Sequence, residues 1–211
     1  MNFIDISIPI KHGMMVYPGD PEPVISLVKD MEGDDDYNIS KIDTCLHAGT
    51  HIDVPSHIVP NGETIGRVEL ERFCGKCRVL DKHDIPVIKA ADLEVHELEK
   101  GDRILFKTRN SGFLNRGEFT KDYTYIDATG ANYLKNAGIS LVGIDYLSVE
   151  SFYSTDFKTH RILLENNIII LESINLFHVE AGEYFLFAAP INVFDSEGAP
   201  ARAILMNLPN M

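Results

Sequence analysis

The hydrophobic positions divide the chain into a β-rich first third and a later part in which helices and strands alternate. In the first third, short apolar and β-branched runs predict strands over residues 4–10, 14–17 and 24–28, with a turn from Pro18 to Pro21. From about Arg67 onward the apolar period switches repeatedly between helix and strand spacing. We predict an amphipathic, helical stretch over 68–73, helices over 90–99, 127–137 and 160–165, and strands over 77–81, 103–107, 140–144, 168–171, 184–188 and 201–206.

This alternation predicts an α/β fold with a mixed sheet. The run Ile-Ile-Ile-Leu at 168–171 is apolar throughout, which is typical of a strand buried on both faces. Asp127 resembles a helix N-cap and Gly138 the residue that follows a helix C-terminus. No repeat or Pro/Ser-rich linker divides the sequence, and 211 residues fit one domain, 1–211.

Composition and charge narrow the class of partner. The formal net charge of -13 disfavours nucleic acid, which binds a basic face, and also an anionic membrane surface. No apolar run approaches the length of a membrane span, and no charged segment followed by an apolar stretch opens the sequence. We therefore expect a cytoplasmic protein that binds neither nucleic acid nor a membrane.

The three cysteines, Cys45, Cys74 and Cys77, are an odd number that does not suggest a secreted disulfide framework. Cys74 and Cys77 form a CxxC pair, which is compatible with a redox pair or with half of a zinc knuckle. A structural zinc needs four ligands, and no second CxxC exists. We expect buried thiols at a helix–strand junction.

Three histidines and a carboxylate lie within eleven positions, at His47, His51, Asp53 and His57. In an extended chain His47, Gly49, His51 and Asp53 share one face. A helix would also align the first two histidines, but the glycine, a proline and three β-branched residues disfavour it. Imidazole plus carboxylate suits zinc, manganese or iron. We expect a metal site; the alternative is a strand whose histidines only complete hydrogen bonds at a sheet edge.

A second metal-competent pair lies downstream, at His160 and Glu172. Glu172 directly follows the apolar run 168–171, and burying a lone carboxylate there is costly unless it is paired or ligated. A strand end is also where a sheet offers side chains to a crevice. The alternative is a histidine at a helix start and an exposed glutamate, and the residues alone favour that alternative.

Other hydrolytic signatures are missing from the sequence. No GxSxG nucleophile elbow and no glycine-rich phosphate loop is present. The dipeptide His96-Glu97 lacks the second histidine of a zincin helix, since Lys100 occupies that position.

The string HAGTHIDVPSH at 47–57 resembles a metal-dependent hydrolase family, the cyclase family, whose members include bacterial kynurenine formamidases and isatin hydrolases. The likeness extends over nearly the whole chain, with VYPGD at 16–20, GID at 143–145 and GAPARAIL at 198–205 in the same order. It implies a single compact β/β/α domain of the swivelling type, assembled as homodimers or homotetramers.

The resemblance also implies roles for individual residues. Residues matching His47, His51 and Asp53 bind metal in that family, and the aspartate can bridge two ions. The match to His160 and Glu172 completes a second site, and the match to His57 transfers a proton. In kynurenine formamidases a tryptophan that lines the aryl pocket precedes Pro-Gly-Asp. Here Tyr17 stands in its place, and a tyrosine ring can still stack on an aryl group.

The expected activity is therefore hydrolysis of the C–N bond of a small amide, an aryl formamide such as N-formylkynurenine or a cyclic amide. One or two divalent ions per chain, zinc in the first place or else manganese, would activate water for the attack. Two other classes stay open. A non-catalytic metal- or ligand-binding protein would not need His57, and a redox protein would use Cys74 and Cys77.

Overall fold

The computed structural model describes residues 3–117 and 119–207, so the ends of the predicted domain 1–211 lie outside the described residues. Strands form most of the regular structure, and the helices are short. The strands are β1 (Phe3–Asp5), β2 (Val24–Lys29), β3 (Ile39–Asp43), β4 (His51–Asp53), β5 (Cys74–Asp81), β6 (Val87–Ile88), β7 (Arg103–Lys107), β8 (Tyr125–Ile126), β9 (Leu141–Ile144), β10 (Ile169–Glu172), β11 (Gly182–Phe187), β12 (Gly198–Pro200) and β13 (Ile204–Asn207). The α-helices are α1 (Ala90–Leu93), α2 (Asn110–Arg116), α3 (Ala128–Ala137) and α4 (Lys158–Leu164), and 3-10 turns cover Pro55–His57, Ile65–Arg67 and Leu70–Arg72.

Nine strands form one mixed sheet, in the order β1-β13-β11-β5-β7-β9-β10-β4-β12. The central strands β5, β7, β9 and β10 are parallel, and the strands toward both ends run antiparallel to their neighbours. This is the mixed α/β architecture that the sequence predicts. Two separate two-stranded sheets, β2–β3 and β6–β8, complete the strand pairing.

The central strands are apolar on both faces because each face meets its own core. Leu105, Leu141 and Leu171 point into one core, which also receives side chains from the antiparallel strands at both ends of the curled sheet. Alternate residues, such as Ile104 and Val142, point into a second core that is closed by α1, α3 and α4. The period-2 alternation of a strand explains this division.

Helix α3 begins and ends at the positions that its flanking residues predict. The Asp127 side chain accepts hydrogen bonds from the amides of Thr129 and Gly130, and Gly138 adopts the left-handed conformation at the C-terminus. Strand β7 also has the predicted bounds. These elements are specified by local signals.

Several predicted elements are shorter than expected or absent. The first strand ends at Asp5 rather than at residue 10, residues 14–17 form no strand, and the helix from Ala90 stops at Leu93. The stretch 68–73 contains only the 3-10 turn Leu70–Arg72. Helix α2 was not predicted. In these segments tertiary packing decides the conformation rather than propensity.

Asp145 connects β9 to the start of α2. Its buried carboxylate accepts four hydrogen bonds, from the backbone amide and hydroxyl of Thr108 at 2.8 and 2.7 Å and from those of Ser111 at 3.1 and 2.7 Å. Burial raises the pKa of Asp145 to about 6 although these hydrogen bonds oppose the shift. The aspartate of the GID string thus holds two loops together at one end of the sheet.

Candidate metal centre and active site

His51 and Asp53 lie on the same face of β4, two residues apart, and His47 precedes the strand in a turn. The predicted single extended segment is wrong at 47–49, because Gly49 has a left-handed φ of 66°. A Cβ there would lie 3.2 Å from the Ile8 carbonyl oxygen, so the close approach also requires glycine. The turn nevertheless brings His47 Nδ1 to 2.8 Å from Asp53 Oδ1, and His51 Nε2 lies 3.4 Å from the same oxygen.

Strand pairing places Glu172 beside this cluster. Glu172 is the last residue of β10, and the antiparallel register sets it directly opposite His51. Glu172 Oε2 lies 3.4 Å from His51 Nε2, while Oε1 accepts a 2.7 Å hydrogen bond from the Val149 amide. Glu172 is 4% exposed, so it is buried and faces the histidine cluster.

His160 approaches Glu172 from α4, with its Nε2 atom 3.5 Å from Glu172 Oε1. A residue that the sequence did not single out, Glu150, holds this ring. Its Oε2 atom accepts from the His160 amide at 3.0 Å and lies 3.1 Å from Nδ1. A carboxylate that receives one ring N–H leaves the other nitrogen free as a ligand. The only signal in the sequence is a glutamate ten residues before His160.

His57 ends the 3-10 turn Pro55–His57, and its ring centroid lies 4.3 Å from that of His47. Burial lowers the pKa of His57, and His47 and His160 act in the same direction against the opposing effect of Asp53. A lowered pKa keeps this imidazole neutral at pH 7. His57 can therefore accept a proton.

The carboxylates have the opposite effect on the other histidines. Burial lowers the pKa of His47, but Asp53 outweighs it and raises that pKa to about 9. In His160 the hydrogen bonds to Glu150 and Glu172 likewise outweigh burial and raise the pKa to about 10. Burial raises the pKa of Asp53, but the histidines prevail and lower it. The site therefore attracts cations strongly.

The hydrogen bond of the His51 ring shows which of its nitrogens can face a metal ion. Its Nδ1 atom lies 2.8 Å from the Gly49 carbonyl oxygen, which can only accept, so Nδ1 carries the hydrogen. Nε2 must then face the oxygens of Asp53 and Glu172 with either a second proton or a metal ion between them. His47 Nε2, His51 Nε2 and both Asp53 oxygens are buried, and although nitrogen and oxygen atoms lie close together here, none of these four atoms forms a hydrogen bond of acceptable geometry. Buried polar atoms that converge in this way fit a metal centre.

Two overlapping sets of ligand atoms are close enough to hold ions, and both contain Asp53. One set is His47, Asp53 and His57, and the other is His51, Asp53 and Glu172. The structure thus brings the six predicted catalytic and metal-binding residues into one cluster, and all of them except Asp53 line one cavity. It also puts His57 within ligand distance of Asp53.

The cavity has a volume of about 460 Å³ and opens beside the histidines. Tyr17 lines it, and the Tyr17 ring packs against those of Phe119 and Phe152 at 6.1 and 6.0 Å. Phe157, the residue before α4, also lines the cavity and has a left-handed φ of 50°. A bulky residue rarely adopts this conformation, and such strain concentrates at functional sites. The cavity can accept a small aromatic molecule.

Similarity to known proteins identifies the family of this chain. Residues 4–151 match the family described as "Putative cyclase". The chain belongs to the cyclase family. A cyclase-family relative, the kynurenine formamidase of Bacillus thuringiensis subsp. konkukian (strain 97-27), is 32% identical over 203 residues, which is 96% of each chain.

Solved structures resemble this cyclase-family chain over nearly its full length. One, described as a potential metal-dependent hydrolase with cyclase activity, has a TM-score of 0.88 and 32% identity and covers 99% of both chains. Isatin hydrolase A from Labrenzia aggregata has a TM-score of 0.82 at 18% identity, covering 99% of this chain and 94% of its own. The second likeness concerns the fold alone.

The CxxC pair lies apart from the candidate site. Both cysteines belong to β5, so they do not form the predicted helix–strand junction. Cys77 is buried, and burial raises the pKa of its thiol to about 12, whereas Cys74 is half-buried. A thiol with such a pKa is a poor nucleophile, which disfavours the redox hypothesis. Among the described residues, no helix is long and apolar enough to cross a bilayer.

Proposed function

We propose that this protein is a metal-dependent amidohydrolase that cleaves an aryl formamide of the N-formylkynurenine type. The observation that carries the proposal is His51, whose ring is fixed by the Gly49 carbonyl so that Nε2 faces two buried carboxylates. Full-length similarity to kynurenine formamidases supports metal-dependent amide hydrolysis, and the aromatic wall of the cavity supports an aryl substrate. A cyclic amide is the alternative substrate.

We assign His47, His51 and Asp53 as ligands of one ion and Asp53, His160 and Glu172 as ligands of a second. Zinc is the metal we expect, and manganese is the alternative. This assignment uses Nε2 of His160, which is free because Glu150 receives the other nitrogen. When bound, a divalent cation supplies a nucleophilic water at neutral pH and polarises the amide carbonyl.

The protein's own residues perform the remaining steps. His57 is neutral at pH 7 and lines the cavity, so it can take a proton from the attacking water and pass it to the departing amine nitrogen. Such proton transfer is worth about 10²–10⁴-fold in rate. Tyr17 stacks on the aryl ring and keeps water from that side of the cavity.

The complete proposal places one hydrolase domain, 1–211, in the cytoplasm as a homodimer or homotetramer. To test the activity, apo protein should be reconstituted with zinc or manganese and assayed on N-formylkynurenine, isatin and an aliphatic formamide. We expect turnover of the aryl formamide that a chelator abolishes and metal restores. Less than about one-tenth equivalent of bound metal after reconstitution, measured by elemental analysis, would contradict the proposed centre.

A further inference from the structure

The ribbon formed by β2 and β3 is the most exposed apolar part of the described structure. All residues of β3, and all but the last of β2, are exposed. Among the described residues, neither strand pairs with any strand but the other. Eight large apolar side chains on the ribbon and its connecting loop are at least 42% exposed, namely Val24, Ile25, Leu27, Val28, Met31, Tyr37, Ile39 and Ile42.

The register divides the ribbon into two different faces. Ile25 lies opposite Ile42, and Leu27 lies opposite Ser40, so three branched apolar side chains share one face. The other face carries Val24 and Ser26 with their charged partners on β3. An isolated two-stranded ribbon is marginally stable in water, and three or more strands with an apolar face are needed. The ribbon therefore requires a further element.

The two edges of the ribbon are not equally open to such an element. The β2 edge follows two prolines, Pro21 and Pro23, and its register shifts between Leu27 and Lys29. Prolines and bulges are the devices that prevent a strand edge from pairing. Strand β3 is regular over Ile39–Asp43 and contains neither device. The free edge of β3 is the one able to accept another strand.

The charges on β3 indicate which strand fits. Lys41 and Asp43 are two residues apart, so they lie on the same face with opposite charges, and Ile42 lies between them on the other face. In an antiparallel pair of two such strands centred on Ile42, Lys41 lies opposite the partner's Asp43, and this contact occurs twice. The pattern is complementary to itself, as an interface about a two-fold axis requires.

We propose that the free edge of β3 pairs with β3 of a second copy of this chain, antiparallel and centred on Ile42. The result is a four-stranded sheet across a two-fold axis, with one apolar face contributed by both copies. This inference rests on the oligomer included in the proposed function and specifies its interface. Because both ends of the ribbon continue into the cavity, through Tyr17 on one side and His47 on the other, pairing also steadies two of its walls.

A charge exchange tests the proposal on the full-length, metal-loaded protein, with oligomeric state measured by sedimentation equilibrium. Lys41→Glu and Asp43→Lys each place like charges opposite one another twice, so each should raise the dimer dissociation constant about 10-fold or more. The double variant restores opposite charges, so its dimer dissociation constant should lie within about 3-fold of that of the original chain. Lys135→Glu, an exposed lysine on α3, is the control for the change in net charge.

A crosslink provides a second readout that does not depend on charge. Ile42→Cys places two thiols across the two-fold axis, where direct cross-strand neighbours are close to disulfide distance. We expect an oxidised dimer for this variant and none for Val24→Cys on β2. A monomeric original chain, single charge variants that associate normally, or a double variant without recovery would each overturn the proposal. None of these results depends on catalytic activity, so failure of the hydrolase proposal remains distinguishable.

Discussion

Replacing Glu150 by glutamine should weaken metal binding without touching a proposed ligand. One oxygen of Glu150 meets both the backbone amide and Nδ1 of His160, at 3.0 and 3.1 Å. These contacts hold Nε2 toward Glu172, 3.5 Å away. Glu150→Gln keeps the shape and one acceptor oxygen but removes the negative charge, so the ring loses its charge-assisted partner.

The size of the effect follows from the geometry and burial of that contact. A hydrogen bond to a charged group contributes about 1.5–3 kcal/mol, and one between neutral groups about 0.5–1.5 kcal/mol. Glu150 is only 7% exposed, so water cannot replace the lost interaction. A difference of about 1–2 kcal/mol corresponds to about 5- to 30-fold weaker binding of the ion at the His160 position, which overlaps the loss of about 10- to 100-fold seen for outer partners of ligating histidines.

The assay is a titration of apo protein with zinc against a competing chromophoric chelator. We expect one weakened binding event in Glu150→Gln and an unchanged second event. Glu165→Gln is the matched control, because Glu165 lies at the end of the same helix and forms only an exposed ion pair with Arg161 at 3.9 Å. Equal affinities in Glu150→Gln and the original chain would refute the positioning role.

Three further predictions concern individual side chains. His57→Ala should lower turnover about 10²-fold or more with metal content preserved, and loss of metal on elemental analysis would make His57 a ligand instead. Asp53→Asn should weaken both binding events in a calorimetric metal titration and Glu172→Gln only one; two unchanged events in Asp53→Asn would exclude the bridging role. Asp145→Ala removes the acceptor of four buried hydrogen bonds, two of them from backbone amides. The free energy of unfolding measured in urea should therefore fall by about 3–5 kcal/mol, and a loss below about 1 kcal/mol would contradict that account.

The parts of the fold that the sequence predicted correctly are those with local determinants. The ends of α3 follow from Asp127 and Gly138, and the burial of β10 follows from its unbroken apolar run. The residues alone favoured an exposed Glu172, whereas the structure buries it beside the histidine cluster because β10 pairs with β4. That pairing itself was not predictable from spacing, because 115 residues lie between the two strands in the chain.

The parts that were not predicted depend on contacts distant in sequence. The chain at 47–49 was expected to be extended, but Gly49 has a left-handed φ of 66° and lies so close to Ile8 that a Cβ would be 3.2 Å from its carbonyl oxygen. Glu150 lies in a polar string that resembles an ordinary loop, and its role appears once α4 places His160 beside it. Such contacts arise from tertiary packing, which residue patterns within one segment do not encode.

The shortness of β4 has a consequence for local unfolding. This three-residue strand joins β12 to the rest of the nine-stranded sheet. Because it forms few hydrogen bonds, the sheet edge made of β4 and β12 would by itself open frequently. In the proposed ligand assignment Asp53 on β4 and Glu172 on β10 hold the same ion, which has to be released before β4 can separate from β10, so its binding free energy adds to the cost of opening. Amide hydrogen exchange at Asp53 and Ile170, which pair across the β4–β10 contact, should therefore slow on metal loading, and this protection reports occupancy of the centre without any substrate.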